Sequence, residues 1–159
     1  MYYYFTQTPV GTALLIGDGK VLTGLHWKVF KRAPLVNAGW VENREVFNEV
    51  LIQLDEYFAG KRQVFNLVYK ATGTPFQMRV WQELDKIPFG VRSSYQAIAT
   101  TVGSPKAVRA VGTAVGSNPI SIFIPCHRVL TSAGKLGGYA GGLPGKMHLL
   151  ALEGINFRV

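Results

Sequence analysis

Apolar and polar positions change period several times along this chain, and each change predicts a different element. Tyr2 to Thr6 is aromatic-rich, Thr12 to Ile16 is an apolar run closed by Gly17-Asp18-Gly19, and Val21 to Trp27 alternates after that turn. Short runs rich in aromatic and β-branched residues, bounded by turn chemistry, predict strands and here a small antiparallel sheet. Lys28 to Val41 carries Pro34, Asn37 and Gly39 without a sustained period, which predicts a loop. From Asn43 to Phe58 the side chains Val46, Phe47, Val50, Leu51, Leu54 and Phe58 recur at helical spacing, and Gly60 can end the element. That helix is expected to cover one face of the sheet. Val64 to Tyr69 predicts a further strand, so this part of the chain mixes α and β.

A helical style begins after Thr72-Gly73. Thr74 before Pro75 is an N-cap followed by the proline that suits a first helical position. Phe76, Val80, Trp81, Leu84 and Ile87 then follow at helical spacing until Pro88 and Gly90. Ser93 to Gly116 divides into a short helix opened by a serine cap, a turn with Gly103, and a second helix from about Pro105. This is the outline of a helix-turn-helix, which helical hairpins that never touch DNA also share. The second helix is rich in small residues, Ala107, Ala110, Gly112, Ala114 and Gly116, with Arg109 the one long charged side chain after Lys106. Small residues serve tight helix packing, and equally a helix that lies in a groove and pushes one arginine into it.

Length and composition narrow the class. The 159 residues, 48% hydrophobic and 16% charged, suit one compact unit or two small lobes. No stretch of about 18 apolar residues occurs and the first basic residue is Lys20, so a soluble cytoplasmic protein without a membrane segment is expected. The net charge is +8 and unevenly spread. Met1 to Asp85 holds nine Lys or Arg and eight Asp or Glu, whereas Lys86 to Leu152 holds seven cations and no carboxylate. A surface of one sign favours polyanions, with nucleic acid first among them.

Cys126 is the single cysteine, which excludes an internal disulfide, a cysteine-rich zinc site and a C-x-x-C redox pair. It sits between Pro125 and the pair His127-Arg128. A free thiol has a pKa of about 8.5, and a neighbouring imidazole or cation lowers it towards the nucleophilic thiolate. Buried inert cysteine is the common alternative, but a core thiol needs neither neighbour. A base that activates a thiol is itself oriented by a third group, and Glu153 is the only acid after Asp85. It falls at a helix C-terminus, where an unpaired carboxylate faces the negative end of the dipole and so calls for a partner such as His127. Gly134 to Gly145 contains six of the eighteen glycines, framing Tyr139. Such a stretch can bring backbone N–H groups against a flat ligand beside one aromatic wall, or be a mobile surface loop. No metal site is expected, because His26 and His148 have no second ligand at metal spacing.

These residues together resemble the O6-alkylguanine-DNA alkyltransferases. Ile124-Pro-Cys-His-Arg-Val129 is similar to the family's active-site signature. Its flanks match in order: Phe76 to Leu84, Ile87-Pro-Phe-Gly90, Ser94 to Ala99, Arg109-Ala-Val-Gly112, Asn118-Pro119, Gly138-Tyr-Ala-Gly-Gly142 and Leu152-Glu-Gly154. The first seventy residues match in order of elements and in Thr8-Pro-Val-Gly-Thr12. The resemblance implies an α+β fold: an N-terminal α/β lobe over 1–72, then a helical lobe over 73–159 with a winged helix-turn-helix.

It also implies single-turnover repair, in which the alkyl group on guanine O6, with thymine O4 as a second candidate position, moves irreversibly to Cys126 without a cofactor. His127 would take the thiol proton through a water, Glu153 would orient His127, and Asn118 would brace the turn. Tyr95 would bond the extruded base and crowd the adjacent phosphate, and Arg109 would fill the gap in the duplex. The backbones of Cys126 and Val129 would read the guanine amine, with Tyr139 and the Ala140 amide facing the ring and O6. Ser94, Ala107, Ala110 and Gly112 complete the expected DNA-binding set. The partner would be double-stranded DNA held through its minor groove without sequence preference, by a monomer whose cooperativity on DNA stays open. Ala140 replaces a serine found in many members, and with Cys126 alone the zinc site some members carry cannot form. Two rivals remain: a non-enzymatic lesion-binding winged-helix protein, which would not need Cys126, His127 and Glu153, and a cysteine hydrolase, which would turn over without DNA.

Overall fold

A computed structural model describes residues 1–159. Three long strands open the chain: β1 (Tyr2–Thr8), β2 (Gly11–Gly17) and β3 (Leu22–Trp27). Two side-chain turns join them. Thr8 Oγ1 accepts from the Val10 and Gly11 N–H groups, and Asp18 Oδ1 accepts from those of Lys20 and Val21. The apolar run of β2 is explained by its position, because it lies between β1 and β3 and buries Ala13 to Gly17 without alternation.

The sheet is mixed, not purely antiparallel. After the expected loop the chain crosses to the far edge and β4 (Val41–Glu42) enters parallel to β1, giving the order β3-β2-β1-β4. Asn43 Oδ1 accepts from the Glu45 and Val46 N–H groups at the expected helix start. The first turn there, Glu45–Phe47, is 3-10, and α1 runs over Asn48–Phe58. Val50, Leu51, Leu54 and Tyr57 of α1 join Leu15, Leu25 and Trp27 of the sheet in the main core.

The strand expected at Val64 to Tyr69 does not form. This segment makes one bridge, between Tyr69 and Leu22, and leaves Val64 77% and Val68 66% exposed. The reason lies further along the β3 edge. There Leu25 N–H donates to the Pro119 carbonyl at 2.9 Å and Ser121 N–H to the Leu25 carbonyl at 3.1 Å. The edge is thus shared between two extended segments, and one of them leads directly to Cys126.

The helical part comprises α2 (Pro75–Asp85), α3 (Tyr95–Thr101), α4 (Val108–Gly116) and α5 (Leu143–Leu152). Thr74 and Gln77 form a reciprocal capping box at α2, and Ser94 Oγ accepts from Ala97 N–H at α3. The second helix of the pair begins three residues later than expected, since Ala107 N–H closes a turn on the Ser104 carbonyl. A parallel pair, β5 (Ser93–Ser94) and β6 (Val129–Leu130), ties the start of α3 to the segment after Cys126. Trp81 is buried, and its indole N–H donates to the Ala114 carbonyl at 2.8 Å, locking α2 against α4. No helix is long and apolar enough to cross a membrane.

Candidate active site

Cys126 opens a single 3-10 turn, Cys126–Arg128, at the end of the segment docked on β3. The approach to it is tightly held. Asn118 Oδ1 accepts from Ile120 N–H at 3.0 Å and its Nδ2 donates to the Ile124 carbonyl at 2.7 Å. Between them Ile122, a β-branched residue 1% exposed, has φ of 72°, the only positive φ outside glycine. Such a conformation costs on the order of 1–3 kcal/mol and persists only where the surroundings over-determine it, which the two Asn118 bonds help to do.

Glu153, the C-cap of α5, is buried and accepts five hydrogen bonds. Its Oε2 takes His127 Nε2–H at 2.6 Å, the Tyr57 hydroxyl at 2.6 Å and Arg128 Nη2 at 3.1 Å. Its Oε1 takes Arg128 Nε at 2.7 Å and Gly90 N–H at 3.1 Å. Burial alone would raise this carboxyl, but the bonds from His127, Arg128 and Tyr57 prevail and hold it at about 2. Because Glu153 is ionised, Nε2 of His127 carries the proton. Nδ1 is then a buried lone pair with no protein partner. Burial holds the imidazole below its usual range, so it is neutral near pH 7.

The ionised Glu153 has a consequence for stability. A carboxyl at about 2 in the fold and 4.5 when unperturbed adds stability that is complete above pH 4.5 and lost as pH falls towards 2. Denaturant melts are therefore expected to shift steadily to lower midpoints across that window. A parent profile no steeper than that of Glu153→Gln contradicts the five-donor arrangement.

The thiol departs from expectation. Burial pushes the Cys126 thiol up from its ordinary value, with partial relief from the Asn118 side chain, the Lys146 charge and the Ser121 hydroxyl. His127 and Arg128 do not lower it, because both side chains are committed to Glu153, and Arg128 also donates to the Ile87 carbonyl. The resting sulfur is a protonated thiol, so any reaction at it includes a proton transfer. The cation that does act on it is Lys146, which is fully buried, donates to the carbonyls of Val129, Leu136 and Gly138, and lies 5.8 Å from the centre of the Tyr95 ring. Desolvation lowers the Lys146 ammonium to about 8. The one-sign surface is accordingly smaller than the sequence suggests: Arg128 and Lys146 are buried, while Lys86, Arg92, Lys106, Arg109 and Lys135 remain exposed.

Cys126 lines a cavity of about 690 Å³ together with Tyr95, Arg109, Gly112, Asn118, Tyr139 and Ala140. The glycine stretch folds over it as a wall. At Gly137 a β-carbon would stand 2.7 Å from the Tyr95 hydroxyl, and at Gly141 2.9 Å from both the Trp27 and Tyr139 rings. The Trp27 indole N–H donates to the Tyr139 hydroxyl at 3.1 Å, joining this wall to β3. Burial raises the phenols of Tyr95 and Tyr139, which therefore stay protonated hydrogen-bond donors.

Not every expected residue reaches the cavity. Val129 is fully buried outside it, with its N–H on the Cys126 carbonyl and its carbonyl on Lys146. Ser94, Ala107, Ala110, His127 and Glu153 also lie outside the lining; Ser94 caps α3, Ala110 is exposed on α4 next to Arg109, and His127 and Glu153 are buried behind Cys126. Sequence reasoning missed Tyr57, Ser121, Lys146 and the Gly90 N–H. Tyr57 fits the α1 period, and Lys146 is the one cation in the first turns of α5, but neither gives a local sign that it is buried and bonded.

Comparison with known proteins adds to this geometry. Residues 1–69 match the family profile described as 6-O-methylguanine DNA methyltransferase, ribonuclease-like domain, and residues 75–155 match its DNA binding domain. The methylated-DNA–protein-cysteine methyltransferase of Methanosarcina barkeri is 46% identical over 158 residues, covering 99% of this chain and 100% of that protein. The Haemophilus influenzae protein of the same name is 43% identical, covering 99% of this chain and 88% of that one. The crystal structure of Mycobacterium tuberculosis OGT in complex with DNA superposes with a TM-score of 0.90 at 42% identity, covering 96% of this chain and 92% of that one.

Proposed function

Because the chain belongs to the 6-O-methylguanine DNA methyltransferase family, we propose that it repairs DNA directly, moving the alkyl group of an O6-alkylguanine onto Cys126 in one irreversible transfer. One observation carries this reading above the others. The sole thiol lines a cavity large enough for a purine and follows a braced turn, beside a neutral histidine with its Nε2–H on Glu153 and its Nδ1 free.

The chemistry follows from the atoms. The Cys126 thiol gives its proton, through a water, to His127 Nδ1, and Glu153 stabilises the imidazolium that results. The sulfur attacks the alkyl carbon, an S–C bond forms as the C–O6 bond breaks, and guanine leaves as an anion that takes up a proton. Lys146 and the Ser121 hydroxyl stabilise the thiolate while it lasts. With no second thiol in the chain, nothing regenerates Cys126.

The alkylated O6 lies inside the stacked duplex, so the nucleotide has to be extruded, at a few kcal/mol. Residues 73–159 form the DNA-binding lobe and 1–72 support it. We assign α3 and α4 as a helix-turn-helix with α4 in the minor groove, Arg109 filling the gap, and Ala107, Ala110 and Gly112 keeping the backbone close to the duplex. Ser94 and Tyr95 face the flanking phosphate. Tyr139 and the Ala140 amide wall the base, and the Cys126 backbone reads its amine. Val129 supports that contact through its bond to Lys146. The exposed cations Arg92, Lys106, Arg109 and Lys135, none of them in an ion pair, make binding sequence-independent and salt-sensitive, and the protein acts as a monomer.

Labelled methyl from a duplex carrying one O6-methylguanine is expected to reach one equivalent on the protein and stop. Continued turnover contradicts the reading. Tyr95, a protonated phenol on the cavity wall, protonates the departing guanine and regains a proton as the His127 imidazolium gives up its own through solvent, so Tyr95→Phe is expected to slow transfer by roughly 100-fold. A parent-like rate for that variant removes Tyr95 from the role.

A further inference from the structure

The cavity at Cys126 is lined almost entirely from the second half of the chain, with two exceptions, Phe30 and Arg32, both from the loop after β3. Nothing in the chemistry above uses them. Phe30 is half-buried against the core, whereas Arg32 is exposed and forms no ion pair. Two further exposed cations share its loop, but Lys28 Nζ lies over the Phe5 ring and neither it nor Lys31 lines the cavity, so Arg32 is the one cation this loop brings to the site. No carboxylate lines the cavity, whose other guanidinium is Arg109 on α4.

The loop root is held in place. Lys28 N–H donates to the Thr12 carbonyl at 2.9 Å, Phe30 N–H to that of Trp27 at 3.0 Å, and Ala33 N–H to that of Phe30 at 3.0 Å. Trp27 is itself bonded to Tyr139 on the opposite wall. Arg32 is thus presented on the second of two consecutive turns at the rim of the site, its side chain unpaired. A guanidinium presented this way matches a phosphodiester, whose two free oxygens accept its forked N–H donors.

We propose that the DNA interface extends onto the N-terminal lobe, and that Arg32 grips a phosphodiester of the strand whose nucleotide enters the cavity. Arg109 and Arg32 then flank the extruded nucleotide from two lobes, the first at the duplex gap and the second on the backbone. This rests on the reading of the cavity as a site for a nucleotide of DNA. It makes Arg32 a binding residue, not one that touches the reacting atoms.

The test is the salt dependence of binding to an undamaged duplex and to the same duplex with one O6-methylguanine, for the parent, Arg32→Ala and Arg32→Lys. Arg32→Ala is expected to reduce the slope of log affinity against log salt by about one on both duplexes, as the loss of one phosphate contact requires. Arg32→Lys should restore most of the slope, and all three proteins should melt together because the side chain is exposed. The ratio of transfer rate from duplex to transfer rate from free O6-benzylguanine, which has no phosphate, should fall in Arg32→Ala. A parent-like slope in Arg32→Ala overturns the proposal. So does an equal loss on duplex and free base, which would put Arg32 inside the pocket. A parent that binds neither duplex in a salt-dependent way overturns the nucleotide reading beneath it, an outcome distinct from failure of Arg32 alone.

Discussion

Glu153→Gln is expected to destabilise the protein by about 3–5 kcal/mol, the cost of breaking a buried ion pair by removing one partner. An amide oxygen can accept from some of the five donors that converge on Glu153, but the amide nitrogen is itself a donor and meets Arg128 or His127 head-on. The Arg128 guanidinium, with its side chain only 7% exposed, is left charged and uncompensated. For a domain whose total stability is typically about 5–15 kcal/mol, this is a large fraction. Transfer should slow as well, because the imidazolium formed during reaction loses its counter-charge. Pairing the change with Arg128→Met removes the stranded charge, so the double variant should recover part of the stability in a double-mutant cycle. A single-variant cost below about 1 kcal/mol, the level of an exposed pair, would show that Glu153 is not buried as described.

The largest effect on function is expected from Cys126→Ala. Transfer should fall below detection, since the chain has no other thiol and the phenols nearest the cavity, Tyr95 and Tyr139, are held protonated by burial. Binding to the lesion duplex should survive. The proposed DNA contacts at Arg109, Ala110 and Gly112 lie on α4, and the change removes one sulfur atom from a cavity wall without disturbing the Asn118 brace or the Glu153 cluster. Equilibrium binding and single-turnover transfer, measured on one preparation, separate the two effects. Residual transfer in this variant would place the acceptor elsewhere.

How much of this was legible in the chain depends on how local the signal is. Thr74-Pro75 with Gln77 announces the start of α2, and Ser94 that of α3, because a cap is satisfied within three residues. The His127–Glu153 bond was legible for a different reason: Glu153 is the one acid after Asp85, so the chemistry had a single candidate. Tyr57, 96 residues from the carboxylate it meets, has no such signal. Arg128 was misjudged as a cation for the thiol, since adjacency in sequence does not say where a long side chain turns. The Val64 to Tyr69 strand failed on a tertiary fact, the sharing of the β3 edge with Pro119–Ser121, which no window around either segment contains. The two-residue β4 is too short to carry a period, and its parallel pairing with β1 is set by the loop that precedes it. The same limit hid Arg32, a loop cation in sequence and a rim residue of the Cys126 cavity in space.

The most direct test of alkyl transfer to Cys126 is intact mass with peptide mapping, after the protein is mixed with excess duplex carrying one O6-methylguanine. A single added methyl in place of hydrogen is expected, confined to the peptide containing Cys126 and saturating at one per protein. The lesion strand should return to unmodified guanine in equal amount. Repair of the strand with no mass gain on Cys126, or a methyl found on any other residue, would contradict it.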